Sequence, residues 1–76
     1  MRGDLPAAVG ARIRKLRQEA KISQERLAER ADLHRNYVGS VERGERDIGI
    51  TALGQLVSAL GLSWAEFFAP FRHRPR

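Results

Sequence analysis

Apolar residues fall into five clusters with helical spacing, separated by short polar breaks. Val9, Ile13, Leu16 and Ala20 step by four, three and four, which is one stripe of a first helix. Pro6 suits the opening turn, where its missing N–H costs nothing. Arg12, Arg14, Lys15 and Arg17 fall on the other face. Ser23 has the side chain to cap a short second helix that turns Leu27, Ala28 and Ala31 inward. Asp32-Leu33 makes a tight break, and a third helix runs from about His34 to Arg43, stopped by Gly44. Leu53, Leu56, Val57 and Leu60 mark a fourth helix closed by Gly61, and Ser63-Trp64-Ala65-Glu66 is a capping box that opens a fifth. That last helix carries Trp64, Phe67 and Phe68 and ends at Pro70; Phe71 to Arg76 reads as a frayed basic tail. The pattern predicts an all-α, compact five-helix fold in a single domain over 1–76, with its core at about 6–69 and the tail at 70–76. There is no internal repeat, low-complexity tract or linker.

With 76 residues and no cysteine, the chain has neither disulfides nor a thiolate zinc site to support a small core. Packed helices, and often a partner subunit, must do so instead. Fourteen Lys and Arg against nine Asp and Glu leave a formal charge of +5. That excess suits nucleic acid, an acidic protein or an anionic membrane surface. No apolar run approaches the ~20 residues of a membrane span, and Met1-Arg2-Gly3-Asp4 lacks the apolar stretch of a signal peptide. The expected location is cytoplasmic. An enzyme would need a convergent chemical site. His34 and His73 are far apart and lack acidic or thiol co-ligands, and Asp32, Glu42, Glu45 and Asp47 sit among arginines rather than as a metal cluster. No catalytic residue, metal, cofactor or small-molecule ligand is expected.

The stretch from Gln24 to Gly44 holds the informative chemistry: short helix, break, short helix, which is the helix-turn-helix pattern. At roughly 100° per residue the third helix sorts into two faces. Tyr37, Val38 and Val41 share the core side, while Arg35, Asn36, Gly39, Ser40 and Arg43 share the other. Arg can bond guanine in two places, Asn can bond adenine, and Ser can contact either. A glycine among them would let the helix backbone approach a groove floor. A merely solvated face would carry Glu and Lys pairs instead.

The runs Ser23 to Ala31, Val41 to Arg46 and Leu56 to Ser63, with Phe67 and Phe68 after them, resemble the Cro/cI-type (XRE-like) helix-turn-helix family. The run His34 to Gly44 is more narrowly similar to restriction–modification controller proteins. The resemblance spans roughly residues 8 to 68 and implies a lambda-repressor-like fold. It implies base-reading positions at Arg35, Asn36, Gly39 and Ser40. Gln24, Arg43, Arg46 and first-helix Arg14 would meet the DNA backbone, though exposed solvated side chains are the alternative for each. Tyr37 is open to two roles, ring packing and a hydroxyl on a phosphate. Arg17 and Glu42 occupy the positions of an ion pair tying first and third helices, against two independent surface charges. Lys21 and Asp32 depart from the family, which prefers glycine there for left-handed backbone. Gly54 is a weak spot inside the fourth helix.

These observations lead to a transcriptional regulator that binds double-stranded DNA at an inverted repeat as a homodimer. Trp64, Phe67, Phe68 and Phe71 are the candidate subunit contact, being too many large apolar groups for one small core. The alternatives are an antitoxin or phage-type repressor acting mainly through protein contacts, which calls for an apolar or acidic third-helix face, and an RNA binder, which calls for interleaved aromatics.

Overall fold

The computed structural model describes residues 5–71. Met1 to Asp4 and the basic tail after Phe71, with His73, lie outside the described residues. Within them the chain forms α1 (Leu5–Glu19), α2 (Gln24–Ala31), α3 (Arg35–Glu42), α4 (Ile50–Ala59) and α5 (Trp64–Phe68), with no strand. No helix among the described residues is long and apolar enough to cross a membrane. Every expected helix is present. The fourth begins earlier than its apolar marks, at Ile50 behind an N-cap Gly49 that offers no side-chain cap.

One side chain from each helix is removed completely from solvent: Ile13, Leu27, Val38, Leu56 and Phe67 are all 0% exposed. Full burial of such a group stabilises by about 1.5–3 kcal/mol, so all five elements depend on a common centre. α3 packs on α1 and α2, α2 also packs on α4, and α5 rests on α4. Phe67, a candidate for the subunit contact, belongs to this centre instead. Its position removes it from any outer surface, because it is the one fully buried side chain by which the short fifth helix enters the core.

α1 to α4 end alike, with a left-handed residue that lets the following N–H groups bond back to the last carbonyls. The left-handed residues are Lys21 (φ 60°), Asp32 (φ 59°), Gly44 (φ 75°) and Gly61 (φ 76°). After α2, for example, Leu33 N–H donates to Ala28 O at 2.9 Å. Lys21 and Asp32 therefore adopt the conformation for which glycine is the expected residue, at a cost of about 1–2 kcal/mol each. The turn is retained in both places.

Two contacts are not visible in the apolar pattern. Arg12, expected on an outer basic face, is half-buried instead. Its Nε donates to Phe67 O at 2.8 Å and its Nη2 to Glu66 O at 2.9 Å, satisfying carbonyls at the end of α5. Gly54, expected to be a weak spot, faces Trp64, whose Cζ2 would lie 3.2 Å from a Cβ placed there. The glycine makes a seat for that indole.

Gly10 fixes how α1 crosses α3. A Cβ at Gly10 would fall 2.0 Å from Val41 O, so two backbones touch where a side chain cannot fit. The obstacle is helix backbone, which cannot swing aside. Gly10→Ala should lower stability by about 1–3 kcal/mol, the usual penalty of overpacking. Thermal unfolding would show it, and an unchanged midpoint would contradict the close crossing.

Candidate nucleic-acid interface

Glu42, in the last turn of α3, is the one buried charged residue among those described. Its Oε2 accepts from Arg17 Nε at 2.6 Å, and its Oε1 accepts from Arg17 Nη2 at 3.1 Å and Gln24 Nε2 at 2.9 Å. The third Arg17 nitrogen, Nη1, donates to Ile22 O at 2.9 Å. The network joins α1, the α1–α2 turn, the start of α2 and the end of α3. The two ionic side chains are 13% and 1% exposed, so they face each other rather than water. Bidentate geometry and a third donor are what a buried carboxylate needs to offset lost hydration.

With one side of α3 fixed in this way, the other faces outward. His34 is the N-cap and accepts from Asn36 N–H through Nδ1 at 3.0 Å. Arg35 and Asn36 are exposed at the start of the helix. Arg35 lies 3.8 Å from Glu25 at the start of α2. Gly39 is not open surface: a Cβ there would sit 3.2 Å from Arg43 Nη1 and 3.4 Å from Gln24 Oε1, so both side chains lie across it. Ser40 is also committed within the chain. Its hydroxyl donates to Tyr37 O at 2.7 Å and accepts from Arg46 Nε at 3.2 Å. The Arg46 guanidinium rests 4.9 Å from the centre of the half-buried Tyr37 ring. Arg14 is exposed on α1.

Arg43 Nε donates to Glu45 at 2.9 Å. Chiefly through that hydrogen bond, Arg43 holds the Glu45 carboxyl below its ordinary range, and Glu45 raises the guanidinium. A lowered carboxyl contributes its stability above the ordinary range and loses it as pH falls through the lowered value. Between α2 and α3 lies an open groove of about 550 Å³, lined by Gln24, Glu25, Arg35, Asn36, Gly39 and Arg43 among others. Glu25 in that lining and Glu45 beside Arg43 are carboxylates, which a pattern of cations and amides does not reveal.

Phe68 on α5 and Phe71 just beyond it flank the buried Phe67, with ring centres 4.9 Å and 6.2 Å from it. Trp64 is 45% exposed and stacks on Phe68 at 6.0 Å. Trp64, Phe68 and Phe71 thus form the outer aromatic edge, with only Phe67 drawn inward.

The helix-turn-helix family matches residues 13–67, which takes in the network, the groove and the core of α5. The chain belongs to that family. Among helix-turn-helix proteins it is similar to control protein C.MunI of Mycoplasma sp., at 34% identity over 67 residues, covering 87% of this chain and 90% of that protein. Control protein C.SmaI of Serratia marcescens is 42% identical over 60 residues, covering 79% and 71%. The helix-turn-helix fold superposes on the restriction–modification controller protein C.Esp1396I, solved as a tetramer on its natural 35 base-pair operator. The TM-score is 0.83 and the identity 33%, with 87% of each chain covered. C.AhdI of Aeromonas hydrophila gives a TM-score of 0.79 at 40% identity, covering 83% of this chain and 96% of that one.

Removing one partner of a buried pair strands the other charge, which typically costs about 3–5 kcal/mol. Glu42→Ala should therefore be among the most destabilising single changes on this side of the molecule. In a double-mutant cycle with Arg17→Ala, the coupling should exceed the ~0.3–0.5 kcal/mol expected of independent sites. Additive losses would mean that the two charges do not depend on each other.

Proposed function

We propose that the chain is a single-domain, sequence-specific DNA-binding transcriptional regulator, not an enzyme, which acts in the cytoplasm as the controller protein of a restriction–modification system. The observation that carries this reading is the two-sided build of α3. One side is locked by Glu42, and the other presents Arg35 and Asn36 beside an open groove. The similarity to named control proteins, one of them solved on operator DNA, supports the controller role.

In this reading α3 enters the major groove. Arg35 and Asn36 read base edges. Gly39 keeps the helix slim where Gln24 and Arg43 fold over it, and Ser40 positions Arg46 in addition to any base contact. Gln24, Tyr37, Arg43, Arg46 and Arg14 approach the sugar–phosphate backbone. So few base-reading side chains give a selective site only when duplicated. A twofold dimer meets that need, with half-sites ~34–36 Å apart on an inverted repeat. Trp64, Phe68 and Phe71 are the apolar edge available for subunit contact. The reading through protein contacts alone calls for an apolar or acidic α3 face, and Arg35 and Asn36 are neither.

Binding titrations of two variants separate readers from backbone clamps. Arg35→Ala should cost about 1–3 kcal/mol on the preferred duplex and relax selectivity at one base position. Arg43→Ala should weaken both preferred and random duplexes, leave the choice of base at each position unchanged, and lower the log–log salt slope by about 0.9 for each phosphate it no longer neutralises. Equal effects on both duplexes for both variants would overturn the division, and binding insensitive to salt would remove the role of the phosphates.

A further inference from the structure

The net charge of the chain is not on its reading unit. From Gln24 to Arg46 five arginines (Arg26, Arg30, Arg35, Arg43 and Arg46) are matched in number by five carboxylates (Glu25, Glu29, Asp32, Glu42 and Glu45), so the formal charge of this stretch is zero. Among the described residues only the buried Glu42 takes its ionic partner, Arg17, from outside it. A module that bound DNA through phosphate attraction alone would gain from the opposite balance. The placement of one of these carboxylates is fixed by the backbone. Gly44 turns left-handed at the end of α3, and Glu45 N–H then donates to Ser40 O at 3.0 Å. This brings the Glu45 side chain back beside Arg43, whose Nε it accepts at 2.9 Å. The bond takes Nε alone among the guanidinium nitrogens, while Nη1 lies over Gly39 at the groove. Arg46 is held through the same atom, its Nε donating to Ser40. In both arginines the amino groups remain available to a ligand while the stem is fixed.

We propose that Glu45 is a specificity-determining positioning residue: it aims Arg43 across Gly39 into the groove, and its charge cancels the pull Arg43 would otherwise exert on any duplex. The proposal rests on DNA reading by α3 and adds to it a source of selectivity that touches no base. Aiming favours the one docked pose in which α3 seats on its site, because a pre-set side chain loses less freedom on binding. Cancellation acts on every sequence, so it lowers random binding without a matching gain for random duplexes from aiming. The lowered Glu45 carboxyl keeps the charge present at neutral pH.

Two variants separate aim from charge. Glu45→Gln keeps an acceptor oxygen for Arg43 Nε and removes the charge; Glu45→Ala removes both. The probes are a duplex selected from a random pool by the unaltered protein and a random-sequence duplex of the same length. Both variants should raise affinity for the random duplex about threefold to tenfold, the scale of one exposed ion pair per subunit of a dimer. Glu45→Gln should raise affinity for the selected duplex by a similar factor and so keep the preference. Glu45→Ala should lack that gain on the selected duplex, so that preference falls in the Ala variant alone. Glu45 is exposed beyond the end of α3, so unfolding midpoints should stay close together. Equal factors on both duplexes for Glu45→Ala, or identical behaviour of the Gln and Ala variants on the selected duplex, would overturn the proposal. An unaltered protein that selects no duplex would remove the underlying reading and the proposal together; a selective protein with unchanged variants would remove only the role of Glu45.

Discussion

Everything on the outer side of α3 depends on how a carboxylate came to be buried on its inner side. An eight-residue helix cannot hold itself in water. Val38 and Val41 give it apolar contact, but apolar contact is non-directional and leaves rotation about the helix axis weakly specified. Glu42 adds direction. Its two oxygens have three donors from α1 and α2, and the arrangement is satisfied at one rotation and tilt of the helix. The close crossing at Gly10 fixes the distance that the ion pair spans. Together they turn a marginal helix into a rigid platform, which side chains need if they are to discriminate among base edges.

The same economy of small contacts joins the two ends of the molecule. Arg12 leaves α1 on the side away from Arg17 and completes the end of α5, so one helix supports both the α3 platform and the aromatic edge. Phe67 links that edge to the common centre, and Trp64 settles on Gly54. A change in how α5 is held would therefore be felt through α1 and the shared core rather than through a flexible tether.

Much of this is legible in the sequence, because its signals are local. Ser23 and Ser63 cap the helices they are expected to cap, and Gly44 and Gly61 end theirs in left-handed backbone. Helical spacing separates Val38 and Val41 from Arg35 and Asn36 correctly. What stays hidden is non-local. A glycine inside α1 carries no periodic signal, so the crossing at Gly10 cannot be read. Arg12 and Arg17 are alike in sequence and are distinguished only by which helix end each reaches. Four aromatics in eight residues suggest a surplus, yet only packing can show that Phe67 belongs to the core and the rest to its edge. Gly39 and Ser40 lie on the expected face, but their neighbours Gln24, Arg43 and Arg46 cover or bind them.

The outward side of a locked α3 is proposed to read duplex DNA in a symmetric pair. Selecting duplexes from a random pool with the purified protein, and sequencing what is retained, tests it most directly. The expected product is an inverted repeat whose half-sites are about ten base pairs apart, centre to centre, with a guanine in each for Arg35. A pool that stays random after repeated selection, or a single asymmetric site with no second half, would contradict it.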